Sequence, residues 1–168
     1  MQKFLYSCAI LLIALLFFSC MSDENNPSQT LQDADTMQSE FSFQSGMLMA
    51  NITEDPLGSV LTYPEGTPAV STSMAVWEPG FESGWHYHPY FGAAYILKGE
   101  LTVSFDENTS VDRPGTEKTV TRTETYKAGD AFLGTPNTWH NSSNQGDVEL
   151  VFMVSWIGED GMPIRVDE

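Results

Sequence analysis

The stretch GFESGWHYHPYFGAAYILKG, residues 80–99, holds two of the three histidines in the chain, His86 and His88, inside a run broken by Gly and Pro. No apolar period of 3.6 residues survives there for the length a helix needs, so the stretch reads as strands joined by turns. On a strand, positions i and i+2 project from the same face about 7 Å apart, close enough for both imidazoles to reach one ion. Trp85 and Tyr87 then occupy the opposite face. The third histidine, His140, closes Thr135-Pro136-Asn137-Thr138-Trp139-His140 and is available as a third ligand if folding delivers it.

Working outward, the β texture continues. Leu101, Val103 and Phe105 alternate with Thr102 and Ser104, the mark of a strand with one buried face. Thr119, Thr121, Thr123 and Thr125 alternate with Val120, Arg122, Glu124 and Tyr126, which predicts a more exposed, edge-like strand. Residues 148–157 are apolar at most positions of both parities and predict a buried interior strand. Asp106 to Glu117, rich in Asp, Asn, Pro and Gly, reads as a hairpin loop. Turn signals recurring roughly every ten residues point to an antiparallel sandwich or barrel. Met47, Met49, Met74 and Met153 have apolar neighbours and read as core packing rather than as copper ligands.

A chain of 168 residues, 41% hydrophobic and 18% charged, has the profile of one folded domain with an appended segment. Its formal net charge of −16 repels phosphate, which excludes nucleic acid as a partner. The two cysteines, Cys8 and Cys20, both lie in the N-terminal leader, so metal chemistry falls to His, carboxylates or Met. Lys3 precedes an apolar run from Phe4 to Phe18 that is too short to span a bilayer and reads as an export signal. Ser19-Cys20 then resembles the lipidation site of bacterial lipoproteins. The expected organisation is a signal peptide over 1–19, a flexible tether lipidated at Cys20 over 20–44, and a β-domain over 45–166. Localisation is expected at the periplasmic face of a membrane or at the outer membrane, with the lipid as the sole membrane contact.

The residues between Ala75 and Asn144 resemble the two motifs of the cupins. Gly80, His86, His88 and Gly99 stand in the register of the first motif: Gly, five residues, His-x-His, three or four residues, Glu, six residues, Gly. Gly129, His140 and Asn144 stand in the register of the second: Gly, five residues, Pro-x-Gly, two residues, His, three residues, Asn. Gly92 falls where the first motif has its Glu, and Thr135 and Asn137 fall where the second has its Pro and Gly. The resemblance implies a small, single-domain, all-β cupin: an antiparallel β-barrel or double-stranded β-helix of jelly-roll kind.

It further implies a divalent metal held by His86, His88 and His140. Without the Glu, three neutral imidazoles remain, with a coordination position open. Cupin dioxygenases acting on thiols, diketones or aromatic diols are similar in using three His, so iron(II) is the favoured metal, with manganese, zinc or nickel as alternatives. The small-molecule pocket is expected around Tyr90, Gly92, Ala94, Ile96 and Phe132, and restoring the carboxylate by Gly92→Glu is expected to tighten metal binding. The activity implied is a dioxygenase-type oxidoreductase. The alternatives are a non-catalytic module that binds or senses a small ligand or metal, and a sugar isomerase-like cupin; a homodimer is left open.

Overall fold

The computed structural model describes residues 45–168, so the expected signal peptide, Cys20 and the tether lie outside the described residues. Nine strands follow in chain order: β1 Pro68–Trp77, β2 Glu82–Tyr87, β3 Gly92–Lys98, β4 Glu100–Asp106, β5 Arg122–Lys127, β6 Ala131–Gly134, β7 Trp139–Ser143, β8 Leu150–Glu159 and β9 Val166–Asp167. No helix of the described residues is long and apolar enough to cross a membrane. The strands form two antiparallel sheets, β1-β8-β3-β6 and β5-β4-β7-β2-β9: the antiparallel sandwich that the turn spacing predicts, of the jelly-roll kind that the motif resemblance implies.

Period-two burial explains how the sheets meet. β8 alternates buried and half-buried residues along its whole length and sits between β1 and β3, as its apolar composition predicts. Its Leu150, Phe152, Val154 and Trp156 pack with Ala94 and Ile96 of β3 and with Leu101, Val103 and Phe105 of β4 in the other sheet. Ile96 and Leu150 are fully buried, and each such side chain contributes about 1.5–3 kcal/mol. The Thr-rich strand β5 is indeed an edge. β1 is one edge of the other sheet, and its outward face corrects the expectation for methionine: Met74 is exposed beside Val70 and Val76, and Met47 is exposed in the segment before β1. Apolar neighbours in sequence do not bury a residue whose strand face has no covering layer.

Two polar side chains secure the loops around this core. Asp106 accepts hydrogen bonds from the backbone N–H of Asn108, Thr109 and Thr119 and from the Thr109 hydroxyl, and so closes the long β4–β5 loop. Burial works to raise its pKa, but these donors outweigh burial and hold the carboxyl below its ordinary range. Asn144, fully buried, donates to the carbonyls of Trp77 and Val148 and accepts from the Gly146 N–H, tying the end of β7 to β1 and to the entry of β8.

Two motif positions at turns, one a departure and one a match, have local explanations. Asn137, where the second motif has Gly, adopts φ 51°, and Asn is among the few side chains that tolerate this left-handed conformation. Its N–H donates to the carbonyl of His88, so the turn pins the chain just after β2. Asn137→Gly should therefore be near neutral in urea denaturation, while Asn137→Val should cost about 1–2 kcal/mol; equal stability of the two variants would refute the account. Gly99, between β3 and β4, has φ 76°, and a Cβ there would lie 2.8 Å from the carbonyl oxygen of Glu149, so only Gly fits the hairpin.

Candidate metal centre

β2 and β7 pair with His86 directly opposite His140, so the ladder itself sets two imidazoles side by side with ring centroids 4.3 Å apart. His88 lies just past the end of β2, where it bridges to Pro136, and its ring is 5.1 Å from His86 and 5.3 Å from His140. One nitrogen from each of the three lies within 4.8 Å of the others. Three atoms spaced so share a centre about 2.8 Å from each at most, and small ring rotations bring that to the 2.0–2.3 Å of a metal–imidazole bond.

Each ring is oriented by a backbone carbonyl. Nδ1 of His86 lies 2.8 Å from the carbonyl oxygen of Gly84, Nδ1 of His140 lies 2.9 Å from that of Thr138, and Nδ1 of His88 meets that of Ile164. A carbonyl only accepts, so Nδ1 carries the proton in each neutral ring and Nε2 keeps its lone pair. Three rings held in that tautomer present three Nε2 donors to a shared point, the arrangement metal-ligating histidines use. The donor set fits a divalent ion.

Burial keeps these rings uncharged. It lowers His86 from 6.5 to about 4, against the opposing hydrogen bond to Gly84, with Arg165 and His88 adding repulsion. Burial likewise lowers His88, and it takes His140 well below the ordinary value, helped by His86. The unfolded chain therefore binds these protons first as pH falls. Metal-free protein should hold full stability above pH 6.5 and lose it progressively toward pH 4, by about 3 kcal/mol for His86 alone. Urea midpoints across that range check this, and a flat profile would refute it.

The three histidines form one wall of a 310 Å³ cavity between the sheets. The rest of the lining is mostly apolar, including Leu101, Val103, Phe105, Phe152 and Val154. Of the expected pocket residues, Ala94 and Phe132 line it. Tyr90, Gly92 and Ile96 do not, for three separate reasons. Ile96 is packed wholly into the core. Tyr90 lies over Gly158. Gly92 does sit buried on the inward face, but a Cβ there would lie 2.7 Å from Cδ1 of Trp156 and 2.9 Å from Cγ1 of Val154. The space expected to stand open for want of a Glu is thus taken by the Trp156 indole, whose ring is 5.2 Å from that of His88.

Several site residues escaped sequence reasoning. The C-terminal segment runs across the site: β9 pairs with β2 at His86 and Tyr87, Ile164 orients His88, and Arg165 donates to the carbonyl of Ser83 and pairs with Asp167. Lys118 holds Glu168 at the end of this strap. Thr135 is among the cavity-lining residues, and its hydroxyl is buried with no hydrogen-bond partner. Only its place in the second motif, where Pro is usual, singled it out beforehand.

A family model described as a cupin domain matches residues 73–156. No curated protein matches the chain. Among solved structures it is similar to one of DMSP lyases (15% identity, 59% of this chain and 44% of that one, TM-score 0.45). It is also similar to a cupin 2 domain-containing protein from Halorhodospira halophila (21% identity, 53% and 52%, TM-score 0.41). A recombinant oxalate oxidase in complex with glycolate is a third (23% identity, 74% and 62%, TM-score 0.42). The chain spans less than two thirds of the length of each of these three.

Proposed function

The chain belongs to the cupin-domain family, and from that premise we propose that it is an exported, lipid-anchored metalloprotein. In this reading His86, His88 and His140 hold a divalent ion, iron(II), and the protein is an oxidoreductase of dioxygenase type acting on a small molecule. The observation that carries it is the set of three carbonyl-oriented rings, whose ligand nitrogens lie within 4.8 Å of one another on the wall of a mostly apolar cavity. Three neutral imidazoles also suit manganese, nickel and zinc, and supply decides occupancy among them. When bound, the ion supplies Lewis acidity and, if iron, redox capacity at positions the protein leaves unfilled. The chain's own residues orient the ligand rings, exclude water through Leu101, Val103 and Phe105, and wall one side with Trp156.

A non-catalytic binding module is the second reading, favoured by the lining: no Asp, Glu, Lys or Cys of the described residues borders the cavity to move a proton. The same lining weighs against a sugar isomerase-like activity, which needs a base. Elemental analysis of protein purified without chelators tests the metal, with a stoichiometric divalent ion expected and its absence overturning the reading. Anaerobic loading with iron(II), then O₂ with thiols, diketones and aromatic diols, separates enzyme from binder by oxygen uptake. Cys20→Ala should release the protein from the membrane fraction; unchanged fractionation and mass would remove the anchor from the proposal.

A further inference from the structure

Residues 160–168 leave the end of β8 as a strap. Residues 160–163 are exposed, with Gly161 in the left-handed region at φ 75°, and they lead to Ile164 and Arg165 on the cavity wall and then to the two-residue β9. Beyond Ile164 the strap's grip is thin. β9 pairs with β2 alone, opposite His86 and Tyr87; the Glu168 N–H donates to the carbonyl of Trp85, and Arg165 donates to that of Ser83. At the tip, the Glu168 carboxylate pairs with Lys118, whose ammonium also donates to the Thr116 carbonyl and lies 4.3 Å from the centre of the Trp139 ring. Of the strap's side chains only Ile164 and Val166 are partly buried. A segment with so few buried apolar contacts opens locally, well before the core strands do.

We propose that this strap is at once the gate of the three-histidine cavity and a positioning element of its metal site: swinging away from β2, it opens the histidine end to solvent and withdraws the Ile164 carbonyl from His88. This rests on the metal reading above and adds how the ion enters and leaves. Two of the three rings depend on the strap, since His86 stands opposite Asp167 in the β2–β9 ladder and Nδ1 of His88 meets the Ile164 carbonyl. With the strap away, His88 is free to turn, and losing a partner that orients a ligand costs about 10–100-fold in metal affinity. An ion that binds the closed form more tightly favours closure by the same factor. Glu168 and Lys118 are the latch. Detachment would strip the carboxylate from a Lys118 side chain only 1% exposed, and a buried charge left unpaired is costly.

Hydrogen exchange and metal-uptake kinetics on the full chain supply the test. In metal-free protein the amides of residues 164–168 should exchange at least about 100-fold faster than those of β3 and β8, and stoichiometric Co²⁺ should slow them at least about 10-fold. In stopped flow, followed by the visible absorption of Co²⁺, the uptake rate should level off as Co²⁺ is raised, because opening of the strap becomes limiting. Glu168→Gln, which weakens the latch without touching the core, should raise both that plateau and the release rate several-fold. A merely structural role for Glu168 would lower the urea midpoint and leave the plateau where it was. Strap amides that exchange only with global unfolding, uptake that stays linear in Co²⁺, or a plateau that Glu168→Gln does not move overturns the gate and leaves the metal centre standing. Failure to bind Co²⁺ at all overturns the metal reading and this inference with it.

Discussion

His140→Ala should abolish the stoichiometric metal binding proposed for this site, with affinity falling by more than about 100-fold, since even removing a partner that only orients a ligand costs 10–100-fold. The loss follows from the geometry: His140 is the ladder partner of His86, and without it the remaining two imidazoles cannot enclose an ion. His86→Ala and His88→Ala should behave alike in metal titration. Stability should change far less than affinity, because the apolar faces of β3, β4 and β8 make the core. In metal-free protein below pH 6.5, His140→Ala should even flatten the loss of stability, as it removes one of the buried rings that resist protonation. An Ala variant that still retains one ion per chain would refute the three-histidine site.

Gly92→Glu should destabilise the protein by at least about 3 kcal/mol in urea denaturation, because it combines overpacking with a charge buried against Trp156 and Val154. The motif taken alone predicts the opposite benefit, a tighter metal site through a restored ligand. The structure reverses that expectation, since the new Cβ would already stand 2.7 Å from the Trp156 indole before any carboxylate is placed. Trimming the obstacle in the double variant Gly92→Glu/Trp156→Ala should recover metal binding beyond that of the parent, at a cost in core packing of about 3–5 kcal/mol for the lost indole. A single Gly92→Glu variant as stable as the parent would show that Trp156 does not hold that volume.

What the chain's sequence determined by itself was everything that repeats locally. Alternation at Leu101, Val103 and Phe105 names a strand with an apolar face in the core, although Thr102 on its other face is buried as well; the i, i+2 spacing sets His86 on β2 and His88 just beyond it on one side; the Thr-rich stretch marks an edge. These signals need no knowledge of partners, because side-chain direction along a strand reverses at each residue. Tertiary structure alone decided what surrounds those side chains. The register of β3 on β8 sets Gly92 opposite Trp156, residues 64 positions apart in the chain, and thereby closes the gap that the missing Glu left. The pairing of β9 with β2 likewise brings Ile164 to the Nδ1 of His88 from the far end of the chain. Nothing in either residue's neighbours announces such a contact. Cross-strand register is a property of two segments at once, set by which apolar faces can be buried together, and a one-residue slip would turn every one of these side chains to the other face.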